Sequence, residues 1–90
     1  AIPVLLLQVF EQTMRDDMRS LQAAIRLGSG RAVLHHTHRM KGVLAIVGSA
    51  RGVRLCTAVE HQAERRCPAR MAALADALAH YLFTTMEGRG

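Results

Sequence analysis

Aromatic side chains are nearly missing from this sequence: its 90 residues include no tryptophan, one tyrosine and two phenylalanines. A core without large rings must be filled by aliphatic side chains. Those present are mainly Ala, Leu, Val and Met, a mixture that favours helix over sheet. Proline is confined to Pro3 and Pro68, so only glycine interrupts the long stretch between them. The two cysteines, Cys56 and Cys67, lack metal-ligand spacing and are too few for a disulfide framework, which points to a reduced, cytoplasmic compartment. The apolar run from Ile2 to Leu7 falls far short of the roughly 20 residues a spanning helix requires, and no basic stretch precedes it. Neither a signal peptide nor a direct membrane contact is expected. No segment has the spacing of a phosphate-cradling glycine loop, so no autonomous catalysis on ATP is expected either.

Acidic residues are also scarce, seven against twelve lysines and arginines, for a formal net charge of +5. Such a balance favours acidic partners. The basic residues are spread singly along the chain, with no aromatics interleaved to stack on bases, so an acidic protein surface is expected and nucleic acid is not. The length suits one compact domain, residues 1–90, and no second. Because the first residue is Ala instead of Met, this domain is expected to be a piece of a longer protein.

The apolar residues fall into four helical stripes separated by glycine, serine and proline. Over about residues 3–27, Phe10, Met14, Met18, Leu21 and Ile25 recur at spacings of three and four, the signature of an amphipathic helix. Pro3 suits its first turn and Gly28 its C-cap. Residues 31–47 repeat the pattern with Val33, Thr37, Met40, Leu44 and Val47, ending at Gly48. A third helix starts with Ser49 as N-cap, presents Val53, Cys56, Val59 and Ala63 on one face, and stops before Pro68. The fourth opens at Pro68 and carries Met71, Leu74, Leu78, Tyr81 or Leu82, and Thr85, with Gly88-Arg89-Gly90 closing the chain. Four amphipathic helices with short connections predict an all-α fold, an antiparallel up-down four-helix bundle. The methionines are expected to fill its core.

The second helix carries the chemistry. On a helical wheel with His38 at zero, Lys41 lies about 60° to one side and Gly42 about 40° to the other, while Val33, Thr37, Met40, Leu44 and Val47 cluster on the far side. An imidazole nitrogen is a competent phosphoryl acceptor near neutral pH, because its unperturbed pKa of about 6.5 leaves a large neutral fraction with a free lone pair. Lys41 can offer positive charge to phosphoryl oxygens, and Gly42 removes a side chain that would crowd an incoming partner. If the chain reverses near Gly48 and Ser49, His38 and Glu60 lie about eleven residues to either side and face one another across an antiparallel pair. Glu60 is thus expected to accept from the His38 Nδ1–H, fixing the tautomer and leaving Nε2 as nucleophile.

The segment His38-Arg39-Met40-Lys41-Gly42, followed after five residues by Gly48 and then by Leu55-Cys56 and Val59-Glu60, resembles the signature of the histidine-containing phosphotransfer (HPt) domain. The resemblance is close over the second and third helices and is a matter of pattern over the first and fourth. Gly52 departs from it by standing where an apolar residue is usual, and is expected to loosen the start of the third helix by about 1 kcal/mol relative to Ala. Thr37 replaces the usual alanine before the histidine. The resemblance implies a phosphorelay module that takes a phosphoryl group onto His38 from a receiver-domain aspartate and passes it to another response-regulator receiver. It implies no cofactor on this chain, with Mg²⁺ held by the partner receiver, and a monomeric domain. It also implies that such domains often stand at the C-terminal end of a hybrid sensor histidine kinase tethered to the inner membrane; a free-standing shuttle is the other context.

Three competing readings have their own expectations. His35, His36 and His38 point about 60°, 160° and 0° around the wheel, so they cannot converge on one metal ion unaided, and no metal site is expected. A docking module that binds a receiver or partner helix without phosphate would keep its function when His38 is changed to Gln. A basic helical binder of nucleic acid would show duplex affinity that falls steeply with salt.

Overall fold

The computed structural model describes residues 3–87. Ile2 of the apolar run and the closing Gly88, Arg89 and Gly90 lie outside the described residues. Four helices follow one another, α1 (Val4–Leu27), α2 (Gly30–Ile46), α3 (Ala50–Glu64) and α4 (Pro68–Glu87), each within a few residues of a predicted stripe. α1 packs on α2 and α4, and α3 packs on α2 and α4, which closes an antiparallel square bundle. No strand occurs among the described residues.

Three short turns set the antiparallel geometry, and they share one design. In each, a residue with positive φ follows the last helical turn: Gly28 (73°), Gly48 (77°) and Arg66 (54°). Its N–H donates to the carbonyl three residues back, and the next N–H donates to the carbonyl five back: Gly28 to Ile25 and Ser29 to Ala24, Gly48 to Ala45 and Ser49 to Leu44, Arg66 to Ala63 and Cys67 to Gln62. These bonds satisfy carbonyls that the helix end leaves open. The next helix then starts at once. The Ser29 Oγ accepts from the Ala32 N–H at 3.3 Å, so α2 begins at Gly30, one residue before its predicted start. The Ser49 Oγ accepts from the Gly52 N–H at 3.2 Å, as expected of an N-cap, and also pairs with the Tyr81 hydroxyl of α4 at 2.7 Å.

The core is aliphatic and sulfur-rich. All five methionines, Met14, Met18, Met40, Met71 and Met86, are buried with Leu21, Val33, Leu44, Cys56, Val59, Leu78 and Leu82, and the three aromatic residues flank this cluster half-buried. The flexible thioether fills irregular gaps that rings would otherwise occupy. Thr37 is fully buried too, its hydroxyl donating to the Val33 carbonyl at 2.9 Å.

Three sequence expectations are corrected here. Val47 is the C-cap residue of α2 and is 44% exposed, because the chain has already left the helix axis. Thr85 faces solvent and its place in the stripe is taken by Met86. Gly52 does not loosen α3. It is buried where α3 crosses α2, and a Cβ there would stand 2.8 Å from Ser49 Oγ and 3.0 Å from Leu44 Cδ1. The missing side chain is a requirement of close helix packing.

α1, which starts at this same end of the bundle, is the longest helix, 24 residues against 17 in α2. Its first turns carry the exposed Val4, Leu5, Leu6 and Val9. No helix among the described residues is long and apolar enough to cross a membrane.

Candidate functional site

The middle of α2 presents two faces. Val33, Thr37, Met40 and Leu44 are buried against the other helices, whereas His38 and Gly42 are exposed and Lys41 is half-buried between them. The core stripe anchors α2 at both ends of the segment, so His38 is carried on a helix whose backbone has little freedom to move. The three predicted residues therefore share one surface, with the imidazole standing into solvent.

Gly42 has no internal reason to lack a side chain. A Cβ built on it meets nothing within 4 Å, yet glycine in a helix interior costs about 1 kcal/mol relative to Ala. The space above it is open surface directly after Lys41, one turn from His38.

Glu60 comes across from α3 as expected but to a different partner. Its Oε1 lies 2.6 Å from the Lys41 Nζ, with the two side chains 16% and 30% exposed. The carboxylate serves the ammonium and not the His38 ring, which corrects the expectation that it fixes the imidazole tautomer. The reason is angular. Lys41 lies on the α3 side of the exposed face, whereas His38 projects outward from its middle, so a side chain rising from α3 meets the lysine first. A short, charge-assisted bond between partly buried groups fixes where the ammonium sits.

Cys56 lies one turn before Glu60 in α3 and is fully buried. Its thiol is pushed up to about 12, by burial first and by the neighbouring Glu60 carboxylate second, with Lys41 opposing. A thiol held neutral is a packing group and a poor nucleophile. Cys67, at the start of α4, is half-buried; both cysteines are free.

Sequence reasoning missed the α1 side of this site. The guanidinium of Arg39 reaches to 3.7 Å from the Asp17 carboxylate of α1. Asp17 is buried, and its other oxygen has no hydrogen-bond partner. The available signal was the position of Asp17 between Met14, Met18 and Leu21, inside the core stripe of α1. His35 is exposed and His36 half-buried, with their rings edge-on at 5.2 Å. Among the described residues no three His, Cys, Asp or Glu side chains gather into a group that could hold a metal ion.

Chemically, the surface offers an accessible imidazole, a fixed ammonium one turn away and room for another molecule to approach closely. No curated protein and no solved structure matches the chain significantly. The family model of the Hpt domain matches residues 5–82, which takes in α2 and α3 entirely and most of α1 and α4. The chain therefore belongs to the Hpt domain family, the histidine-containing phosphotransfer domains of two-component signalling phosphorelays.

Proposed function

We propose that this domain is the intermediate of a phosphorelay, with His38 as its phospho-acceptor. The observation that carries the reading is an exposed His38 on a core-anchored helix, in a chain of this family, beside a Gly42 that leaves open surface where a side chain would stand. The lone-pair nitrogen of the His38 imidazole attacks the phosphorus of a receiver's aspartyl phosphate. A nitrogen–phosphorus bond forms, the acyl oxygen–phosphorus bond breaks, and the aspartate leaves as its carboxylate. The second transfer runs the same step in reverse onto another receiver. Mg²⁺ on the receiver would supply charge neutralisation at the phosphoryl group, so this chain contributes position more than catalysis.

Lys41 adds a positive charge beside the transferred group, and Glu60 acts through it by holding the ammonium in place. The free thiols support a reduced, cytoplasmic setting. We infer from the family resemblance a place at the C-terminal end of a hybrid sensor kinase, tethered through that parent to the inner membrane, with a free-standing shuttle as the other context, and a domain monomeric by itself.

Incubation with a phosphorylated receiver domain tests the reading. The wild-type chain should acquire acid-labile, alkali-stable phosphate, and His38→Gln should acquire none while still folding. A wild-type chain that stays unlabelled, or a His38→Gln chain that is labelled equally, would sink it. Receiver binding by an unlabelled wild-type chain would instead identify a docking module.

A further inference from the structure

The arginines that look scattered in the sequence are gathered by the fold. The α1–α2 and α3–α4 turns lie at the same end of the bundle, and together they enclose an open cleft of about 440 Å³ lined by Ile25, Arg31, Ala63, Arg66, Pro68 and Met71, among others. Arg26, Arg65 and Arg70 stand exposed on the same turns. Five of the twelve basic residues thus sit at one end, with Glu64 as the single acid on those turns. The ion pairs among the described residues engage Arg19, Arg39 and Lys41, and none engages these five. Two helices begin and two end here, so their dipoles offset one another and the field comes from the side chains.

Arg66 adds a separate observation. The sister turns place glycine at their left-handed position, whereas this one places arginine at φ 54°, a conformation that a side chain disfavours. The residue kept there at that cost is a cation on the rim of the cleft. Beneath the rim, Ile25, Ala63, Pro68 and Met71 make an apolar floor.

We propose that this cleft docks an acidic segment of a partner protein, with an aliphatic side chain seated on the apolar floor and flanking carboxylates paired with Arg31 and Arg66. Charge complementarity selects an anion, and guanidinium forks suit carboxylates. The concave shape selects a peptide: a bilayer needs protruding apolar side chains, of which this end has Leu27 alone, and a nucleic-acid strand has no aliphatic group for the floor. Arg31 lies seven residues before His38, on the same face of α2. The docking itself requires no phosphorylation of His38 and stands independently of the relay reading.

Fluorescence anisotropy with a labelled synthetic peptide, in which Asp and Glu flank a Leu-Leu pair, provides the test. The 90-residue chain should bind it saturably, with affinity falling as salt rises. Replacing the Leu pair by Ser, or Arg31 and Arg66 together by Ser, should weaken binding about tenfold or more, a loss of roughly 1.4 kcal/mol. Arg66→Gly keeps the turn's preferred residue, so it should also weaken binding while the fold stays intact. Amide shift changes in NMR should fall on the two turns. Absence of saturable binding, indifference to the arginine or leucine substitutions, shifts centred elsewhere, or tighter binding to duplex DNA or to phosphatidylglycerol vesicles would each overturn the proposal.

Discussion

Gly42 and Gly52 stand on adjoining helices and lack side chains for opposite reasons, which makes them a useful pair. A Cβ on Gly42 meets open space. Gly42→Ala should therefore stabilise the isolated domain by about 1 kcal/mol in urea unfolding, while slowing phosphotransfer from a receiver. Equal rates would mean that no partner approaches closely there. A Cβ on Gly52 would press on Ser49 Oγ and Leu44, and that Oγ is already committed to the Gly52 N–H and the Tyr81 hydroxyl. Gly52→Ala should destabilise by about 1–3 kcal/mol, against the helix-propensity trend, because shifting the oxygen gives up a cap and a hydrogen bond. Cys56 makes a pH prediction at the same scale. Its folded-state value is raised from 9.0 to about 12, so the folded state holds a proton that the unfolded state releases first. The stabilisation is complete below about pH 9 and is lost as pH rises toward 12. Between pH 8 and pH 10.5 the urea midpoint of the wild-type chain should fall by more than that of Cys56→Ala; parallel falls would show that the buried thiol is not the cause.

Among the elements, what the sequence made legible was the helices, and what it hid was how they meet. Stripes at three-and-four spacing located all four helices, since burial of one face is what organises a bundle. The α3–α4 turn was marked by Pro68, but its left-handed position was hidden because Arg66 stands where glycine marked the other two. Arg66→Gly should raise stability by about 0.5–1 kcal/mol, the relief of the side-chain clash minus the added freedom of the unfolded chain. An unchanged midpoint would show that the turn tolerates arginine without strain. The pairing across α2 and α3 was hidden for another reason. Counting residues from the turn put Glu60 opposite His38, but azimuth decides contacts and brings it to Lys41. If Glu60 acts only through Lys41, Glu60→Gln should slow phosphotransfer in the wild-type background and change nothing further once Lys41 is Met. Additive effects in that double-mutant cycle would give Glu60 a role of its own.

For the molecule as a whole, the decisive property is where its charge is left unpaired. The exposed histidine and its face could be read from the sequence because helix geometry alone fixes them. The concentration of arginines could not, since Arg26, Arg31, Arg65, Arg66 and Arg70 become neighbours only once the chain has made all three of its reversals. With the ion pairs at Arg19, Arg39 and Lys41 accounted for, much of the net charge of +5 faces solvent as a directional field. Such a field accelerates encounter with an acidic partner, and salt shortens its reach from about 10 Å at 0.1 M to about 3 Å at 1 M. The two stages of phosphotransfer should therefore respond differently in quench-flow measurements. The second-order rate at low receiver concentration should fall severalfold over that range of salt, because it reports diffusional encounter. The first-order rate at saturating receiver should change little, because His38, Lys41 and the phosphoryl group are then in contact and poorly screened. A second-order rate indifferent to salt would mean that apolar contact alone brings the receiver to His38, and that the cationic end has no part in its approach.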